Sequence, residues 1–124
     1  MIIPPLNTIG FVYCITAPTG HKYIGRKICT SKRKKTIKGK VKRVIVDSDW
    51  RKYCGSSEEV KELVKKYGID SFKREILYWC KDKSSMAYLE MKTIFERDAL
   101  LKDEYLNKWI TCRINAKNLN SLKT

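Results

Sequence analysis

Residues 11–26 read "FVYCITAPTGHKYIGR", two short apolar runs, "FVYCIT" (11–16) and "HKYIGR" (21–26), either side of an Ala-Pro-Thr-Gly turn. β-branched and aromatic residues bounded by turn formers favour strands, while Pro18 and Gly20 suit a loop and would damage a central strand. The stretch therefore predicts an antiparallel hairpin with a connection of roughly four or five residues. It places Tyr13 and Tyr23 on adjacent strands. Whether they share a face depends on register, which the sequence leaves open.

Outward from this hairpin, residues 27–46 read "KICTSKRKKTIKGKVKRVIV" and carry Lys27, Lys32, Arg33, Lys34, Lys35, Lys38, Lys40, Lys42 and Arg43 with no strong helical period. A basic loop or ribbon extension is predicted, either a solvated flap or a surface for phosphates. Next, "GSSEEVKELVKKYG" (55–68) is the clearest helix. Ser56 and Glu59 read as a capping box, Val60, Leu63, Val64 and Tyr67 mark one face, and Gly68 ends it. The run "SFKREILYWC" (71–80) reads as a strand with Phe72, Ile76 and Tyr78 on one side and Leu77 and Trp79 on the other. Two apolar faces predict a central, covered strand. Residues 84–105 are expected to be mostly helical, with Ala87, Met91, Ile94, Phe95 and Leu101 near one stripe. A short apolar group follows at 109–115, and residues 116–124 are expected to fray. The predicted class is α/β, a small antiparallel three-stranded sheet flanked by helices.

A chain of 124 residues has room for one ordinary domain. Its 27 Lys and Arg against 13 Asp and Glu give a formal net charge of +14, well beyond what solubility requires. Such a field draws polyanions, with nucleic acid first and an anionic membrane surface or acidic protein behind it. The 5 cysteines form no CxxC pair, which argues against a disulfide framework or a structural zinc site. The N-terminus, broken by Pro4 and Pro5, does not resemble a signal peptide, and no apolar run reaches membrane-spanning length. An intracellular, cytoplasmic location is expected.

Glu90 is the most informative carboxylate, three residues after Ala87 and four before Ile94, beside the apolar stripe of its helix. A carboxylate so placed needs a cation or strong donors. It reads either as a Glu paired with Arg or Lys, or as a ligand for Mg²⁺, which takes one or two carboxylates and keeps several waters. Tyr13 and Tyr23 read as core residues unless nearby cations make loss of a phenolic proton affordable. Arg26 and Lys27 are the cations that follow them, placed either to do this or to clamp a phosphate. His21, the 1 histidine in the chain, excludes paired-histidine metal sites, and its turn position suits phosphate contact or plain exposure.

Taken together, these segments resemble the GIY-YIG nuclease family. "FVY" (11–13) is similar to the family's Gly-Ile-Tyr segment, with Phe11 in place of its glycine, and "YIG" (23–25) matches the second segment letter for letter. "YCGSSEEVKELVKKYGIDSFKREIL" resembles a stretch of free-standing phage and homing-type members, and Glu90 falls where their metal-binding glutamate occurs. The resemblance implies a nuclease core over about residues 9–95 with a basic insertion at about 27–53 and a C-terminal extension at 96–124. It implies metal-dependent endonucleolytic hydrolysis of double-stranded DNA with Mg²⁺ or Mn²⁺ on Glu90. Tyr13 would be the general base or would position the water, Tyr23 would help orient it and contact the phosphate, and Gly25 would allow close backbone approach. Arg26 or Lys27, with Arg33 and Arg51 as alternatives, would contact the phosphate. His21, Lys32, Arg33, Lys34, Lys35, Lys40, Lys42, Arg43, Arg51, Tyr53 and Asn115 are the expected DNA contacts. A non-catalytic nucleic-acid-binding module is the other reading of the same residues.

Overall fold

The computed structural model describes residues 5–37, 39–47, 57–110 and 114–123. Arg51 and Tyr53 lie outside these residues, as does Ser56. Five strands and two helices follow in order: β1 (Gly10–Thr16), β2 (Lys22–Ile28), β3 (Thr30–Ile37), β4 (Lys40–Asp47), α1 (Glu58–Tyr67), β5 (Lys73–Cys80) and α2 (Lys83–Glu96). Short 3₁₀ turns occupy Ile69–Ser71, Ala116–Asn118 and Asn120–Leu122.

The opening hairpin forms as β1 and β2, antiparallel, with Gly20 at φ 93° in the connecting turn. That turn is closed by the Ala17 amide donating to His21 O at 2.8 Å and the Gly20 amide to Ala17 O at 2.9 Å. The three-stranded sheet has the order β2-β1-β5, all antiparallel, and β3 and β4 form a separate two-stranded ribbon. The central strand is therefore β1. The segment predicted to be central, β5, lies at an edge, and both its faces are apolar because the sheet is covered on both sides.

One face carries Val12, Cys14 and Ile24 against Met86, Leu89 and Ile94 of α2. The other carries Phe11, Tyr13 and Ile15 against Val60 and Val64 of α1, with Phe72, Ile76 and Trp79 of the β5 region. Two helices thus sandwich one sheet. Each of the largest buried apolar side chains in these layers contributes about 1.5–3 kcal/mol.

The simple alternation expected along β5 breaks at Leu77. Val12 pairs with Tyr78 but Tyr13 pairs with Ile76, so one extra residue bulges between them. The bulge reverses the parity of the strand. Trp79 consequently joins Ile76 on the Phe11 face, its ring 5.5 Å from that of Phe11 and edge-on, while Leu77 and Tyr78 pack on the α2 face.

Helix ends also differ from expectation. Ser57, not Ser56, caps α1, and it does so without a side-chain bond to the helix amides, because its hydroxyl donates to Glu59 Oε2 at 2.8 Å. Gly68 closes the helix at φ 85°, as predicted. Tyr67 is 42% exposed and off the buried face, its ring under the Lys66 ammonium at 5.4 Å. In α2 Asp82 is the N-cap, accepting from the Ser85 amide at 2.7 Å. The helix ends at Glu96, well short of residue 105, and Asp98 adopts φ 51° as the chain turns back. Phe95 and Leu101, assigned to the apolar stripe, are exposed, whereas Met86 and Leu89 do the packing. Within residues expected to fray, Ser121 docks on α2 by donating to Asp82 Oδ2 at 2.6 Å, and its hydroxyl lies 2.7 Å from that of Ser85.

Candidate active site

Register decides the relation of the two tyrosines. Tyr13 stands opposite Gly25, and Tyr23 stands opposite Ile15. Direct partners in an antiparallel ladder share a face, so Tyr13, Tyr23, Gly25 and Lys27 lie on the α1 side of the sheet. Arg26 lies on the α2 side with Ile24.

The Tyr13 ring crosses Gly25 so closely that a Cβ there would sit 2.5 Å from Tyr13 Oη, 2.7 Å from its Cζ and 3.1 Å from Tyr23 Cε1. Glycine is needed here for space. Tyr13 is 1% exposed, with its ring 5.8 Å from that of Phe11, whereas Tyr23 is half-buried on β2, the edge strand.

Beside that edge lies a cleft of about 500 Å³ lined by Tyr23, Arg26, Glu90, Asn107, Lys108 and Trp109, together with the start of α1 at Ser57–Glu59. Four stretches far apart in sequence meet there. The structure brings Tyr23, Arg26 and Glu90 to this cleft, and Tyr13 lies behind Gly25, outside its lining. Lys27 is half-buried on the tyrosine side. His21 remains in the β1–β2 turn, its Nδ1 2.7 Å from Thr19 Oγ1. Asn115 caps a 3₁₀ turn, accepting from the Lys117 amide at 3.1 Å, and does not line the cleft. Lys32, Arg33, Lys34 and Lys35 lie on β3, and Lys40, Lys42 and Arg43 on β4.

Glu90 faces Arg26, whose Nε is 3.6 Å from Glu90 Oε2, and its side chain is 23% exposed. Burial pushes the carboxyl above its usual range and the guanidinium pulls it back only in part. Glu90 is thus paired with an arginine, the first of its two sequence readings, and it borders open space. Among the described residues no group of three or more His, Cys, Asp or Glu could hold a metal ion. Among the described residues the cleft offers no all-protein cage. Of the three carboxylates in its lining, Glu58 and Glu59 pair with Lys61 and Lys108, and Glu90 beside this polar space fits a hard divalent cation that retains most of its water.

The expectation of helix through 105 and an apolar group from 109 misses what the 104–109 segment does, which is to run along β2. Lys22 donates its amide to Glu104 O at 2.7 Å, the Leu106 amide donates to Lys22 O at 2.7 Å, and Lys22 and Tyr105 form a parallel bridge. Asn107, 8% exposed, then completes the edge with its side chain, Oδ1 accepting from the Ile24 amide at 2.9 Å and Nδ2 donating to Ile24 O at 2.8 Å. The free edge of β2 is thereby covered. Next to it Lys108 pairs with Glu59 of α1, which with the Ser57 hydroxyl holds the Glu59 carboxyl down at about 2. Trp109 follows, 80% exposed at the rim. A buried side-chain amide is invisible to periodicity, and its polar residue type points to the surface.

A small α/β unit with an antiparallel sheet between two helices, bearing tyrosines on one hairpin and a glutamate on the last helix, defines the class. A profile described as "Putative endonuclease segE, GIY-YIG domain" matches residues 4–110, and the chain belongs to this GIY-YIG endonuclease domain family. Over 53 residues it is also 38% identical to a protein of Enterobacteria phage T4 described as "Putative endonuclease segD". That match covers 43% of this chain, which spans about a quarter (24%) of the length of the phage protein. No solved structure matches. No described helix is long and apolar enough to cross a membrane.

Proposed function

We propose that the cleft hydrolyses phosphodiester bonds of double-stranded DNA in a metal-dependent, endonucleolytic reaction. The observation that carries this reading is the meeting of Tyr23, Arg26 and Glu90 around one cleft in a GIY-YIG domain. A divalent cation such as Mg²⁺ or Mn²⁺, when bound, supplies charge neutralisation at the phosphate and the leaving 3′ oxygen.

Glu90 is the residue that would hold it. Arg26, already on the Glu90 side of β2, is better placed than Lys27 to turn its fork toward a phosphate oxygen and steady the charge of the transition state. Tyr23 borders the cleft and orients the attacking water. Tyr13, packed across Gly25 behind it, is the general base or holds Tyr23 and the water in position. Water attacks in line and the product carries a 5′ phosphate. His21, the β3–β4 cations and Asn115 serve as contacts along the duplex, outside the chemistry.

Incubation of the chain with supercoiled plasmid, with and without Mg²⁺, tests the reading. Nicking or linearisation that needs the cation and disappears in Glu90→Gln is expected. Plasmid bound but left intact by the parent chain, whatever the cation, would favour the non-catalytic binding module instead.

A further inference from the structure

The basic ribbon has a register that works against itself. Lys34 of β3 stands directly opposite Arg43 of β4, and Lys35 directly opposite Lys42. Like charges in direct cross-strand positions destabilise a pair, and an isolated two-stranded ribbon is marginal to begin with. Two successive pairs of this kind call for an anionic counterpart.

Alternation along the strands distributes the charge in a definite way. Lys32, Lys34 and Arg43 fall on one face of the ribbon, and Arg33, Lys35, Lys40 and Lys42 on the other. A ribbon built to lie flat on a row of phosphates needs one basic face. Two basic faces fit a cleft with anionic walls on both sides, and the major groove, about 12 Å wide, admits a two-stranded ribbon between two phosphate backbones. The ribbon also starts where the site ends, since β3 begins at Thr30, directly beyond Ile28 and Cys29 of the strand that carries Arg26.

We propose that the β3–β4 ribbon enters the major groove of double-stranded DNA edge-on, each face neutralising phosphates of one bordering strand. The proposal rests on double-stranded DNA being the substrate of the cleft. It adds that the duplex is gripped by the insertion and that the grip anchors the phosphate presented to Arg26.

The test separates the two faces. Lys34→Gln/Arg43→Gln and Lys35→Gln/Lys42→Gln each remove a repelling pair, so neither variant is expected to lose structure, which circular dichroism verifies. Binding of a short duplex to the full chain in EDTA is measured from low to moderate salt. Each double variant is expected to weaken binding about tenfold or more and to reduce the slope of log K against log salt by about 2. Methyl green, which fills the major groove, is expected to displace the chain, whereas a minor-groove ligand is not. An effect confined to one pair, or displacement by the minor-groove ligand alone, overturns groove insertion. The nicking assay is read separately: intact nicking with one silent face sinks only the ribbon proposal, and two-faced binding without nicking sinks only the nuclease reading.

Discussion

At the scale of single residues, Gly25 and Glu90 show opposite kinds of constraint. Gly25 is held by space: a Cβ would fall 2.5 Å from Tyr13 Oη. Gly25→Ala must therefore push the Tyr13 ring out of a buried layer, at a cost of about 1–3 kcal/mol, and tilt Tyr23 with it. A lower melting temperature and plasmid cleavage reduced at least tenfold are expected, and unchanged cleavage would mean that the ring contact does not matter to the site. Glu90, in the role proposed for it, is kept at the expense of stability. Its carboxyl lies above the usual 4.5 because burial outweighs Arg26. Between 4.5 and that raised value the folded chain keeps a proton that the unfolded chain has released, so stability falls as pH rises through the window. Above it the charged side chain is a standing cost. Glu90→Gln should accordingly melt higher than the parent at neutral pH, with the difference closing as pH drops below 4.5, while cleavage is lost. A variant that melts lower at neutral pH would show that the Arg26 pair outweighs burial.

At the scale of elements, the edge of β2 depends on a segment that is not a strand. Asn107 satisfies the Ile24 amide and carbonyl, and its replacement by Ala leaves two buried backbone groups without partners. A loss of about 2–4 kcal/mol is expected from this double deficit. Hydrogen exchange gives the specific readout: the Ile24 amide should exchange far faster in Asn107→Ala, while amides at the β1–β5 junction slow or speed only with global stability. Protection unchanged at Ile24 would show that the edge is covered by other means. The same segment marks the limit of sequence reading. The hairpin, α1 and the helix bearing Glu90 were legible because each has its own local pattern, apolar periodicity or turn chemistry, whereas the basic segment read as either loop or ribbon. Leu77, which reverses the faces of β5, carries no such signal, since a bulge is a property of two strands in register. The end of α2 was overread because helix formers continue through "ERDALLKDEY" (96–105), and packing, not propensity, stops the helix at Glu96. Of the candidate site, Tyr23, Arg26 and Glu90 could be named in advance. That they meet across the edge held by Asn107 could not, because that contact spans 83 positions of chain.

At the scale of the whole molecule, the densest run of positive charge and the candidate site lie on different sheets. The three-stranded sheet carries the cleft, and the ribbon is a second sheet whose strands, among the described residues, pair with each other. The segment from Ser31 to Val46 contains no acidic residue and holds more than half of the excess behind the +14 net charge. Thr30 and Asp47 face each other at the ribbon's base. Excising the residues between them and joining the ends through a short Asn-Gly turn should leave the sandwich of α1, sheet and α2 folded, with a similar melting temperature. Electrostatic grip depends on salt far more steeply than the bond-breaking step does. The shortened chain is therefore expected to nick plasmid at low ionic strength within about tenfold of the parent, and to lose activity at a markedly lower salt concentration. Activity lost at every salt concentration despite an intact fold would place part of the catalytic machinery on the ribbon. An unchanged salt profile would place the DNA grip on the remaining cations, Arg26, Lys27 and Lys108 beside the cleft among them.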